Sequence, residues 1–348
     1  MKTKEILLFL GLALISCKKE DAKNHTSKTY ISQNVSYEEN TNQFILSSGN
    51  RNFQLPKSIF PLKRVVLLNS SLLGYISELG LEEKIVGVSS PEYIYSEKIH
   101  QGIASGKIKN IGNEQKYDVE KIIALKPDAV FTNYIASFEN TYDVLRKSGV
   151  NIVFLDEYLE QIPLEKAAYI KLFGKMFGVE KKSDSLYNVI ETNYHQLSKQ
   201  ASQAKEKPKV ICNEMYGNQW FMPSGQSSVA YYFKDANVDY PWASTKGAAA
   251  VPLSFEEVLV KSKGAQYWVN LADYQNKNSL LAFNPSYQQL YPFQHGKLYG
   301  IGGRVHGKAN DYFASGMARV DYILRDYINI FHPNLLKDSQ LIYMKELK

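Results

Sequence analysis

Residues 117–133, YDVEKIIALKPDAVFTN, carry a short helix, a proline-marked turn and a buried strand. Val119, Ile122, Ile123 and Leu125 recur at helical spacing. Glu120 and Lys121 lie between the first two of these, so at least one of them faces water. Pro127 pushes Lys126 out of the α region and ends the helix. Ala129-Val130-Phe131 is a short apolar run, as expected of a strand covered on both faces. Residues 254–270, SFEEVLVKSKGAQYWVN, repeat the plan. There Phe255, Val258, Leu259 and Val260 make the helix, Gly264 the turn and Tyr267-Trp268-Val269 the strand. Each copy sets a Glu in the first helical turn, Glu120 and Glu256. Two similar units so far apart predict two similar lobes.

The flanking sequence has the same rhythm. Apolar runs at 65–68, 85–88 and 151–155 alternate with helical stretches at 72–79 and 142–147, which indicates parallel α/β layers. From Pro163 the chain turns helical for about forty residues, broken near 174–179. Its second part, 181–205, lines up Leu186, Val189, Ile190, Tyr194, Leu197, Ala201 and Ala204 on one face, as one helix of ~25 residues and ~37 Å does. Pro208 ends it, and a second lobe begins with a strand at 210–212. The chain closes with a helix over 310–330. Before the first lobe, 43–55 reads as two strands around Gly49-Asn50, a hairpin signal.

The helix–KPD–strand motif and its weaker echo resemble the signature of substrate-binding proteins of ABC importers for iron–siderophore, haem and cobalamin complexes. The resemblance covers residues 44–332. It implies an α/β chain of two similar doubly wound lobes with parallel-type sheets, joined by one long helix that keeps their relative motion small. It implies that one surface Glu per lobe, Glu120 and Glu256 here, meets arginines of the membrane permease. The expected organisation is a signal peptide at 1–16, a lipid-anchored tether at 17–42, an N-terminal lobe at 43–162, a linking helical segment at 163–207 and a C-terminal lobe at 208–348. The implied cargo is a ferric siderophore-type complex, with cobalamin or haem as alternatives.

The start of the chain fits an exported protein. Lys2 and Lys4 precede an apolar core at 6–15 that is too short to span a bilayer. Leu14-Ile15-Ser16-Cys17 resembles a bacterial lipobox, which implies cleavage before Cys17, lipidation of its thiol and an envelope location on the periplasmic side of a membrane. Lys19-Glu20-Asp21 resembles a surface-export signal of lipoproteins in the Bacteroidota, so handover to an outer-membrane transporter is the alternative placement. With Cys17 lipidated, Cys212 is the remaining thiol and no intrachain disulfide forms. Among 348 residues, 41 are basic and 35 acidic, a net +6 that favours an anionic ligand mildly; no dense basic run argues for nucleic acid. Tyr is abundant, at 25 residues, and a polar-tipped aromatic suits a partly wet binding surface.

Ligands of open α/β sheets bind outside the carboxyl ends of the strands. Those positions hold the candidate ligand-binding residues Ser70, Tyr93, Tyr95 and Tyr134 in the first lobe and Trp220, Arg304 and His306 in the second. Trp242, in a proline-bounded loop before the echo motif, completes the set. Aromatic faces pack against large chelates, and Arg pairs bidentately with carboxylate or catecholate oxygens. Tyr93 and Tyr95, two apart, face one way if their loop is extended. Gly302…Gly307-Lys308 copies the spacing of a phosphate loop, but Ala309 stands where Ser or Thr must hold magnesium. The six histidines show no paired metal spacing, and neither a G-x-S-x-G elbow nor a Ser/His/Asp set is legible. The expectation is a monomeric binding protein without cofactor, metal site or catalytic residues, with an ABC permease as its partner.

Overall fold

The computed structural model describes residues 27–113, 115–337 and 340–348. Cys17 and the secretion signal lie outside the described residues. The first lobe is built on five parallel strands in the order Ile152–Phe154, Ala129–Thr132, Val65–Leu67, Ile85–Val88, Lys109–Asn110. The central strands Val65–Leu67 and Ala129–Thr132 are buried throughout, as an unbroken apolar run predicts. The second lobe holds Val210–Cys212, Tyr267–Leu271 and Lys297–Gly300 in parallel, with Lys345–Leu347 added antiparallel at the edge. A smaller antiparallel sheet of Met215–Tyr216, Gln219–Met222 and Val251–Leu253 sits beside it. Among the described residues no helix is long and apolar enough to cross a membrane.

The deciding stretch folds as its sequence dictates. Asp118 caps the helix Val119–Ala124 by accepting the Lys121 N–H, and Lys126 before the proline takes a left-handed φ of 45°. In the echo, Ser254 and Glu257 close a capping box on Phe255–Lys261, and Gly264 supplies a φ of 78° that a side chain resists. Glu120 and Glu256 both fall at the second helical position, and both are exposed.

Pro163–Ala167 and Tyr169–Phe177 carry the chain out of the first lobe, and Gly178 turns it at φ 70°. The connecting helix Glu180–Ser202 then runs 23 residues, about 35 Å, burying Tyr187, Ile190, Tyr194 and Ala201. It packs against Tyr169–Phe177 of the first lobe and against Val320–Phe331 of the second.

Two expectations are corrected. Residues 29–39, expected to be tether, form strands Thr29–Tyr30 and Val35–Glu39 of a four-stranded meander completed by Gln43–Ser48 and Arg51–Pro56. Val35, Phe44, Leu46 and Leu55 bury its inner face in the core, and Glu160 accepts from Ser32 Oγ at 2.5 Å and Asn34 Nδ2 at 3.0 Å. The final helix, expected over 310–330, is instead a 3-10 turn Asp311–Phe313 and two helices, Ser315–Ala318 and Val320–Phe331, that break at the non-helical Arg319, whose side chain pairs with Asp321. Cys212 is fully buried beside Met222, 3.7 Å between sulfurs.

Candidate functional site

The carboxyl ends of the first sheet carry a polar floor. Asn69 Oδ1 accepts the Ser71 N–H at 2.9 Å and starts the 3-10 turn Ser70–Leu72. The Ser71 hydroxyl donates to Glu157, and Asn133 Nδ2 donates to the same carboxylate at 3.0 Å. Burial holds the Glu157 carboxyl above its usual range, and those two donors pull it partly back. Lys166, buried on Pro163–Ala167, has its ammonium pushed down by burial and drawn back by Glu157 and Glu160.

The second lobe contributes the loop 301–314. Val305–His306 and Ala309–Asn310 pair as a small hairpin turned by Gly307 at φ 60°. Asp311 accepts from Arg304 Nε at 2.9 Å and fixes the guanidinium, which lies 5.2 Å from the Tyr95 ring centre. Lys308 Nζ lies 5.7 Å from the ring centre of Tyr93. Two cation–aromatic pairs therefore bridge the lobes, each joining a second-lobe cation to a first-lobe tyrosine. Beneath them a pocket of ≈ 480 Å³ is lined by both lobes, including Ser77, Glu78, Tyr95, Arg304, His306 and Ser315. The Ser77 Oγ beside it is buried without a protein partner.

The same seam is locked from behind. Helix Leu73–Glu78 packs on Ser315–Ala318 so closely that a Cβ on Gly74 would stand 2.1 Å from the Ala314 carbonyl oxygen. Arg319 reaches Glu78 across the lobes at 3.4 Å, grips Asp321 at 2.9 Å and stacks 3.4 Å from the Tyr322 ring centre. Asn193 on the connecting helix donates to Asp321 at 3.1 Å, so one network ties both lobes to that helix. Burial raises the Glu78 carboxyl, and Arg319 lowers it.

Tyr95, Arg304 and His306 thus meet at one interlobe pocket, with the exposed Tyr93 beside them. Ser70 is the first residue of the turn at the floor. Tyr134 stands at the end of its strand, but Arg51 covers one face of its ring, 3.8 Å from the centre. Trp220 and Trp242 are corrections: both are buried in the core, at 0% and 2% exposure, rather than presented at the cleft. Strand Gln219–Met222 alternates out and in, which turns Trp220 toward the core, and its indole N–H donates to the Cys212 carbonyl at 2.9 Å. Trp242 packs on Tyr240 at 5.7 Å. Sequence reasoning passed over Ser77, Glu78 and Asp311 because they sit one helical turn or one loop away from the strand ends, and over Arg51 because it arrives from the meander.

Two α/β lobes pinned to one helix, with a pocket lined by both, have the architecture of a two-lobed solute-binding protein. The chain belongs to the periplasmic binding protein family, whose pattern matches residues 65–305. It is 24% identical over 289 residues to an uncharacterized lipoprotein of Methanocaldococcus jannaschii, covering 80% of this chain and 67% of that one. It superposes on a periplasmic haem-binding protein of Pseudomonas aeruginosa with a TM-score of 0.61 at 15% identity, covering 82% of this chain and 98% of that one. The Vibrio cholerae siderophore-binding protein solved with Fe3+-Desferal gives 0.55 at 18% identity over 77% and 99%. At these identities the structural likeness is one of fold.

Proposed function

We propose that this protein is the substrate-binding component of an ABC importer, capturing an iron chelate of the siderophore type between its lobes. The observation that carries this reading is the interlobe pocket, where Arg304 comes from one lobe and Tyr95 from the other. A guanidinium beside tyrosine faces recognises the oxygen shell and the flat ligand arms of such a chelate. Titration with ferric hydroxamate, ferric catecholate and haem, followed by tryptophan fluorescence and calorimetry, tests it. Binding of at least one, weakened by Arg304→Ala about five- to a hundred-fold, is expected. Failure of all three to bind refutes the reading.

Haem is the second reading, favoured because Tyr95 and His306 line one pocket and both are iron-ligand types in haem proteins. A Soret band that shifts in His306→Ala identifies it. Delivery follows by docking of Glu120 and Glu256 on the permease, with the chain held in the envelope through a lipid on Cys17. Cys17→Ala then releases the protein from membranes, and unchanged fractionation and mass rule the anchor out.

A further inference from the structure

The N-terminal meander precedes the residues that match the family, yet it reaches the same end of the first lobe as the pocket. Arg51 opens its last strand. The guanidinium carbon lies over the Tyr134 ring, 3.8 Å from its centre, with the Phe154 ring centre 5.7 Å away. Tyr134 follows the strand Ala129–Thr132, and Asp156 follows Ile152–Phe154, so both stand at carboxyl ends. Asp156 holds one corner of Arg51 through a single Nη1 contact of 3.4 Å, while its other oxygen accepts the Tyr134 N–H at 2.9 Å. Exposed Tyr158 adjoins them in the turn Glu157–Leu159.

The contrast with other arginines is informative. Arg146 makes two contacts of 2.8 Å to carboxylates, and Arg319 is gripped by Asp321 and Glu78. Arg51 has one long contact, a stacked face and a side chain 31% exposed. A guanidinium carries five N–H donors in a fixed fork, and this one sits over the Tyr134 ring with a single 3.4 Å contact to a protein carboxylate. The meander itself is anchored without it, through its buried apolar face and the bonds to Glu160. Holding a cation over an aromatic ring at a strand end, on an element fixed by other means, suits recognition better than clasping.

We infer that Arg51 is a cargo-contacting residue that takes a carboxylate or other anionic oxygen at the rim of the chelate. The inference rests on the reading of the cleft as the chelate site. It makes the meander part of the binding site and sets a preference for anionic over cationic chelates.

The test uses three probes: haem, with its two carboxylates; a ferric tris-catecholate trianion; and ferrioxamine B, a monocation. Wild type, Arg51→Met, Arg51→Gln and Arg51→Lys are titrated with each, with Arg304→Ala as reference. Wild type should bind an anionic probe more tightly than ferrioxamine B. Arg51→Met and Arg51→Gln should weaken that anionic probe about ten-fold, as losing a charge-assisted fork does. Ferrioxamine B should be held within two-fold, and Arg51→Lys should recover part of the loss. Melting temperatures should stay near wild type. Equal anionic affinity in wild type and both neutral variants overturns the inference, as does equal weakening of every probe together with a lower melting temperature. Preference of the wild type for the cation, or no binding of either anion, overturns it too. Anion binding that depends on Arg304 but not on Arg51 sinks this inference alone, whereas absence of all chelate binding sinks the cleft reading with it.

Discussion

Replacing Gly74 by alanine should force the two lobes apart. The added methyl would stand 2.1 Å from the Ala314 carbonyl oxygen and 2.4 Å from its carbon, where ordinary contact begins near 3.4 Å. Both neighbours are backbone, so neither can rotate away, and the helices Leu73–Glu78 and Ser315–Ala318 must part by about 1.3 Å. The shift falls on contacts already at their limit: Tyr75 Oη to the Met317 carbonyl at 3.5 Å and Arg319 to Glu78 at 3.4 Å. Overpacking of this kind costs about 1–3 kcal/mol. For a chain of this size each kcal/mol lowers the melting temperature by about 2–4 °C. Because the same seam frames the pocket, cargo affinity should fall with stability. Calorimetric melting, small-angle scattering for lobe separation and cargo titration read the three effects. An alanine variant with wild-type melting, scattering and affinity would refute the claim that this glycine sets the lobe spacing.

Glu120→Arg combined with Glu256→Arg should leave melting and cargo affinity near wild type yet abolish uptake by permease-containing vesicles, since each like-charge contact costs several kcal/mol; normal uptake removes the docking role. Trp220→Phe should cost about 1–3 kcal/mol of stability by orphaning the Cys212 carbonyl, with affinity of the folded protein within two-fold; a ten-fold loss of affinity at normal melting would return Trp220 to the site. Burial raises the Asp326 carboxyl from 3.8 to about 6, against backbone N–H donors from Ile342, Tyr343 and Met344. Its contribution is therefore full below about pH 4 and lost as pH rises through about 6, a change of about 3 kcal/mol that Asp326→Asn should flatten in denaturant titrations at pH 4 and pH 7.

The architecture was legible because its signals are local. Lys126-Pro127 and Gly264 each set a boundary through their own backbone chemistry, and the apolar face of residues 181–205 marked the connecting helix. Of the residues expected at strand ends, those that a loop carries alone, Tyr95, Arg304 and His306, are the ones that line one interlobe pocket. Trp220 was misplaced because a polar-looking loop conceals a hairpin, and one step of strand register decides whether an indole faces ligand or core. Arg51 lies 83 positions before Tyr134, and no local pattern announces a stack made across that separation. Residues 29–39 are polar enough to read as tether, and become strands through partners at 43–48.

Cys212 offers a clock for the second lobe. Burial pushes its thiol well above the usual range, so in the closed lobe it is neither exposed nor a thiolate. A disulfide reagent reaches it only when the sheet around Val210–Cys212 opens. In a soluble form lacking Cys17, the labelling rate then counts openings of this lobe alone, slowing about ten-fold for each 1.4 kcal/mol that holds it shut. Cargo that grips both lobes must slow that clock by its binding energy to the closed state, whereas cargo seated on the first lobe leaves it running unchanged.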